Sequence, residues 1–349
     1  MIVNDLLMAI FFLYVGLEIK QEILYGNLSS FKKASFPIIA AFGGVLVPAI
    51  IFLMFNGNND FANGVGIPIS TDIAFAVGIF MVLKNKIDPK LKIFLLSLAV
   101  VDDLISILVI GILYSSDINM TFISLGFITF CILLIMNKKL KINKLLPYLL
   151  VGTLLWLFVY ASGVHATISG VLLAIAIPCS SENNSKLSLA KLLEHRLTPL
   201  CNLIILPLFA LINTAITFNI NINVSSVTNL VLGIIIGLSV GKPLGIMLFS
   251  FIATKLNITE KPDNTSWTSL FCVSTLAGIG FTMSIFVSEI AFLGNDSIID
   301  ISKISILVAS LLSIISTCTI VTILDVYKHK ISIKNMKIYK YLFENHHSA

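Results

Sequence analysis

Apolar residues in this chain come in runs of about 20, the length a helix needs to cross a hydrocarbon core of about 30 Å at 1.5 Å per residue. Eleven such runs, separated by charged or Asn/Gly-rich breaks, lie near residues 4–24, 35–55, 61–83, 90–114, 121–136, 145–160, 163–178, 192–214, 228–253, 268–293 and 302–324. A soluble domain cannot carry them. Of 349 residues, 57% are hydrophobic and 12% charged, and the mean hydropathy is +1.00, which leaves too little polar surface to meet water on every side. The strict alternation of a β-barrel is absent. The fold class is therefore an all-α polytopic membrane protein. The runs at 145–160 and 163–178 are short for spans and call for tilt or tight packing.

The breaks between runs carry the orientation. Counted alternately, one side holds 21 of the 23 basic residues, from Lys20, Lys32 and Lys33 through Lys84–Lys92, Lys138–Lys144, Lys186–Arg196 and Lys255–Lys261 to Lys328–Lys340. Positive charge marks the cytoplasmic side, so the C-terminus is expected there, with residues 327–349 as a basic tail beyond a transmembrane unit at 1–326. Eleven spans then leave the N-terminus outside, close to Met1 and without a basic leader or cleavable signal. Five cysteines (Cys131, Cys179, Cys201, Cys272 and Cys318) show no metal-binding or disulfide spacing and read as packing residues.

Ionisable residues in the middle of a span are costly and usually functional. The run Ile93–Tyr114 contains two, the adjacent Asp102 and Asp103. Neighbours on a helix point about 100° apart, so both side chains can reach a cavity obliquely. Such carboxylates can hold a proton or a small hard cation such as Na⁺. Lys242 is alone in its run from Asn229 to Ala253. At that depth it cannot snorkel to an interface, and a nearby carboxylate is its expected partner. Asp72 follows Gly66-Ile67-Pro68-Ile69-Ser70-Thr71, where Gly and Pro interrupt a span. A related interruption, Gly278-Ile279-Gly280, precedes Phe281-Thr282-Met283-Ser284. Two interrupted spans in corresponding positions suggest inverted repeats, near 35–114 and 228–324, with an ion-coupled site between them.

At this point the chain resembles the NhaA-type Na⁺/H⁺ antiporters of bacteria. The resemblance is carried by Asn4–Phe12 with Val15-Gly16-Leu17-Glu18, by Ser70–Phe75, and by Val101-Asp102-Asp103-Leu104. Gly163–Thr167, Gly241–Gly245 and Gly280–Phe286 extend it in order to about residue 324. The inverted-repeat rule has this family among its own type cases, so symmetry and resemblance are not independent. The resemblance implies an antiporter fold with two discontinuous helices crossing midway through the membrane. It implies Asp103 as main cation ligand, Asp102 as a second ligand or partner of Lys242, and Thr71 at the crossing. Asp72 and Lys242 would balance the dipoles of the half-helices. Na⁺ or Li⁺ and protons would compete at Asp102 and Asp103, the site of the transported metal ion, with alternating access coupling the two. Exchange would be electrogenic, in the bacterial inner membrane, without enzymatic activity or a cofactor; the chain has no P-loop signature for ATP.

The same resemblance assigns the pH response to Glu18, Glu22, Glu194 and His195 at the cytoplasmic helix ends, with His165 as a further candidate. Gln21 stands where the family carries a basic residue, and Thr198 near where it often has a second histidine. Glu289 reads as interfacial. Family chains carry a further helix and an external connection ahead of the segment matching Asn4. Restoring that helix would put both termini in the cytoplasm, so the chain is expected to start one helix short. The connection contributes to a family homodimer, the remaining partner expected beside the ions and lipid. Two other readings stand beside the antiporter: a Na⁺-coupled symporter of related fold, and an antiporter inactivated by its short start. An intramembrane aspartyl protease, a distant third, would need carboxylates on facing helices and a GxGD motif that the chain lacks.

Overall fold

The computed structural model describes residues 2–84, 86–115, 118–179, 188–214, 224–262 and 265–346. The side chains of Lys32, Lys33 and Lys186, and those of the basic tail from Tyr327, lie outside the described residues. All regular elements among the described residues are helical. In chain order they are α1 (Ile2–Leu24), α2 (Phe31–Asn56), a 3-10 segment (Ala62–Ile69) leading to α3 (Ile73–Val82), and α4 (Lys90–Leu113). There follow α5 (Met120–Lys138), α6 (Leu145–Ala161), α7 (Thr167–Ala176), α8 (Leu189–Leu200) and α9 (Leu206–Asn213). The last are α10 (Val224–Ile236), α11 (Lys242–Lys255), α12 (Trp267–Leu276), α13 (Phe281–Ala291) and α14 (Asp296–His346). Each apolar run is thus met by helix, and among the described residues seven helical stretches are individually long and apolar enough to cross a membrane.

Four spans are not plain α-helices, and sequence explains each. Two contain a π turn, Cys201–Ile205 between α8 and α9 and Gly237–Gly241 between α10 and α11. Each π turn ends two residues before a proline, Pro207 or Pro243. A proline has no N–H to give the carbonyl four residues back and its ring presses on that carbonyl, so a wider turn absorbs the misfit. In the second turn the N–H of Lys242 reaches back to Gly237 O. The other two spans are fully broken. Ala62–Ile69 and α3 are separated at Ser70–Asp72, while α12 and α13 meet at a 48° bend.

The run at 163–178 is short for a span, as its sequence indicates. Its helix, α7, has only 10 residues, about 15 Å, half of the hydrocarbon thickness. Gly163 takes φ 81° before it, a left-handed turn open to glycine, and Pro178 forces extended backbone on Ile177 after it. The short helix lies along α1, and the non-helical flanks extend its reach: Lys20 of α1 donates to Ile175 O at 2.6 Å, to Ala174 O at 3.3 Å and to Ile177 O. An ammonium there satisfies carbonyls that the helix end leaves without partners.

Close packing positions the site. The backbones of α2 and α11 approach so nearly that a Cβ on Gly43 or on Gly245 would collide with the other's carbonyl oxygen. Small residues at a helix crossing permit this approach where apolar lipid supplies no hydrophobic drive of its own. Helix α4 packs on α2 and lies beside the first broken span, with Asp102 and Asp103 buried midway along it.

Candidate ion site at the crossing of the broken helices

The two breaks face each other and exchange hydrogen bonds. The N–H of Asp72 donates to Ile279 O at 2.7 Å, and Thr71 Oγ1 donates to Ala277 O at 2.9 Å. From the other strand of the crossing, Ser284 Oγ donates to Ile67 O at 2.8 Å. Carbonyls freed by the breaks are thereby paired, as buried backbone must be.

Asp72 is the N-cap of α3, accepting from Phe75 N–H at 3.1 Å, and it also accepts from Thr282 N–H at 3.2 Å and from the Thr282 hydroxyl. Thr282 lies in the first turn of α13. One buried carboxylate therefore sits against the positive ends of both second half-helices. Lys242 does the converse. Its Nζ donates to Ile69 O, at the end of the 3-10 segment, and to Asp102 Oδ2 at 2.8 Å. Lys242 and Asp102 are 1% and 2% exposed in this ion pair.

Asp103 is 1% exposed, and among the described residues its Oδ1 has no hydrogen-bond partner. Beside it opens a cavity of about 450 Å³, lined by Asp103, Asp72, Tyr14, Glu18 and Asn202, with Phe11, Leu206 and Met283 among the apolar walls. Asp102 does not line it. Asp102 Oδ1 is likewise without a partner among the described residues, so the two acids differ in that Asp102 is ion-paired with Lys242 whereas Asp103 has no ion pair and lies beside a cavity.

The expected pH cluster is brought together in part. The Tyr14 hydroxyl hydrogen-bonds Glu18 and Thr198, Gln21 Nε2 donates to Glu194 Oε2, and Ser97 Oγ donates to Glu22 Oε1 at 3.2 Å. Gln21 therefore meets an acid as a neutral donor. His195 is exposed beside Glu194. His165 is elsewhere: it bonds the backbone of Tyr114 and faces Asp5, thirteen residues from Glu18 along α1, or about 20 Å. Glu289 pairs with Lys303 at 3.0 Å, a lysine only 6% exposed.

Sequence reasoning missed several participants. Thr282 lies within the Gly280–Phe286 stretch, but nothing in the sequence says that it holds Asp72. The Ile69 carbonyl, which shares Lys242 with Asp102, is backbone and invisible to any search for charges. Tyr14 and Asn202 escaped because they carry no charge.

A helical bundle with two broken helices crossing midway along it, a buried lysine–acid pair and a bare acid beside a small cavity is built to move small cations through a membrane. It is a secondary transporter. The profile of the Na⁺/H⁺ antiporter 1 family matches residues 1–321, and the chain belongs to that family. It is 46% identical over 321 residues to the Na⁺/H⁺ antiporter NhaA 2 of Aliarcobacter butzleri, covering 90% of this chain and 80% of the relative. It is 48% identical over 311 residues to the Na⁺/H⁺ antiporter NhaA of Flavobacterium psychrophilum, with 89% and 80% covered. The NhaA antiporter of Pelagibacter ubique is 46% identical over 312 residues, at the same coverage. The chain is an integral membrane protein and a sodium/proton antiporter, and the symporter and inactive readings gain no support.

Proposed function

We propose that Na⁺ and protons compete for Asp103, and that this competition couples the exchange. What supports the reading is the contrast between the two acids: Asp102 is neutralised by Lys242, whereas Asp103 is buried and bare beside a cavity. A buried carboxylate without a partner must take up a proton or a cation. Li⁺, smaller and equally hard, is carried too. Asp102 enters the cycle through Lys242, which releases it when a cation or proton changes the charge beside it. Thr71, Asp72 and Lys242 keep the crossing neutral while the two breaks hinge. Opposite faces of the crossing open in turn, as alternating access requires. More than one proton per Na⁺ makes the exchange electrogenic.

Glu18, Glu22 and Glu194 gather near the cavity's Glu18 side and adjust its charge with pH; His195 contributes from the surface, and His165 from the far end of α1. The protein works in the bacterial inner membrane with its C-terminus in the cytoplasm, on the asymmetry of its lysines. Its cargo is Na⁺, Li⁺ and H⁺, with no cofactor, and a homodimer is the family assembly.

Everted vesicles containing the protein should dissipate a pH gradient when Na⁺ or Li⁺ is added, and Asp103→Asn should abolish the response. Parent-like exchange by Asp103→Asn would overturn the assignment.

A further inference from the structure

Asn202 is a polar side chain in a place where polarity is costly. It lies near the middle of the span Leu189–Asn213, and apart from the Cys201 thiol it is the only polar side chain between Pro199 and Ile212. A mid-span amide facing lipid would leave two donors and an acceptor unsatisfied. Asn202 is itself exposed. It lines the cavity that also holds Asp103, Glu18 and Tyr14, while Leu203 and Ile204, which follow it, are 75% and 54% exposed on the outer surface. The π turn Cys201–Ile205 contains all three residues, and such turns re-aim side chains at functional sites.

The other polar groups on this cavity have partners or net charge. Tyr14 is engaged with Glu18 and Thr198, and Asp72 is held by Phe75 and Thr282. The Asn202 amide makes no hydrogen bond to another described residue, so its oxygen is available to the cavity. An amide oxygen is a hard ligand suited to Na⁺ or Li⁺, yet unlike a carboxylate it takes no proton in the working pH range. It therefore favours the metal ion over the proton in a site where the two compete.

We infer that Asn202 is a cation-positioning residue, lending its amide oxygen to a Na⁺ or Li⁺ ion in the cavity that leads to Asp103. This rests on the assignment of Asp103 above. Asn202→Ala and Asn202→Leu should raise the apparent KM for Na⁺ and Li⁺ about fivefold, the loss of one modest ligand contact, while the maximal rate stays within twofold. Asn202→Asp should restore a low KM at high pH and make it rise more steeply than in the parent as pH falls, because the new oxygen is also a proton acceptor. A residue that only shapes the helix would not split KM from maximal rate, nor respond to a charged replacement in this way.

The assay is Na⁺- and Li⁺-induced dissipation of a pH gradient in everted vesicles, with the amount of folded protein measured by size-exclusion chromatography. If Asn202→Leu fails to fold, the smaller Asn202→Ala and the near-isosteric Asn202→Asp carry the test. A KM within twofold of the parent in every folded variant would overturn the inference. With Asp103→Asn inactive in the same experiment, that result would leave Asp103 standing; with Asp103→Asn active, the failure would lie in Asp103 itself.

Discussion

At the scale of residues, charge balance explains most of the site. Lys242 and Asp102 are both buried, 2.8 Å apart, and each removes the penalty that the other would carry alone. Lys242→Met leaves Asp102 buried and unpaired. It should destabilise the detergent-solubilised protein by roughly 3–5 kcal/mol, the range for breaking a buried pair. Adding Asp102→Asn should recover much of that loss, since two neutral groups of similar shape need no mutual compensation. Thermal unfolding of the two singles and the double measures the coupling; simple additivity of the two losses would count against it. These charges were legible in sequence because ionisable residues in long apolar runs stand out. Their pairing was legible only as a requirement that Lys242 find a carboxylate. Which of two adjacent aspartates it meets depends on the phase of α4 against α11, and a resemblance can suggest that phase while composition and spacing cannot.

At the scale of elements, the spans were legible and their interruptions partly so. The Gly-Pro stretch before Asp72 and the Gly-Ile-Gly stretch before Phe281 announced broken helices, because backbone freed within a membrane must be paired elsewhere. The two π turns were not foreseen, although Pro207 and Pro243 now account for them. The run at 163–178, short for a span by sequence, holds a ten-residue helix because Gly163 and Pro178 bound it. The α2–α11 crossing supplies an element-scale prediction. Gly245→Val would drive a branched side chain into the Gly43 carbonyl, an overpacking that costs roughly 1–3 kcal/mol or more. Since α11 begins at Lys242, the shift should also lower exchange activity. Gly245→Val with parent-like melting temperature and rate would show that the contact is slack.

At the scale of the whole molecule, an antiporter needs one occupancy at a time and two ways out. The asymmetry of basic residues supports the proposed orientation, and labelling can check it. A cysteine placed at Asn257, in the turn after α11, should react with an impermeant maleimide from the cytoplasmic side, and one at Asn295, before α14, from the outside. The reverse pattern would invert the proposed orientation. Occupancy is the more central matter. On the proposed assignment, Na⁺ binding at Asp103 expels whatever proton the carboxylate holds, because one buried acid with no other partner cannot keep both. The direct measurement is proton release from purified protein in weakly buffered detergent solution when Na⁺ is added, with choline as the control cation. The account predicts saturable release in response to Na⁺ and Li⁺, absent with choline and lost in Asp103→Asn; Na⁺-driven release that persists undiminished in Asp103→Asn would contradict it.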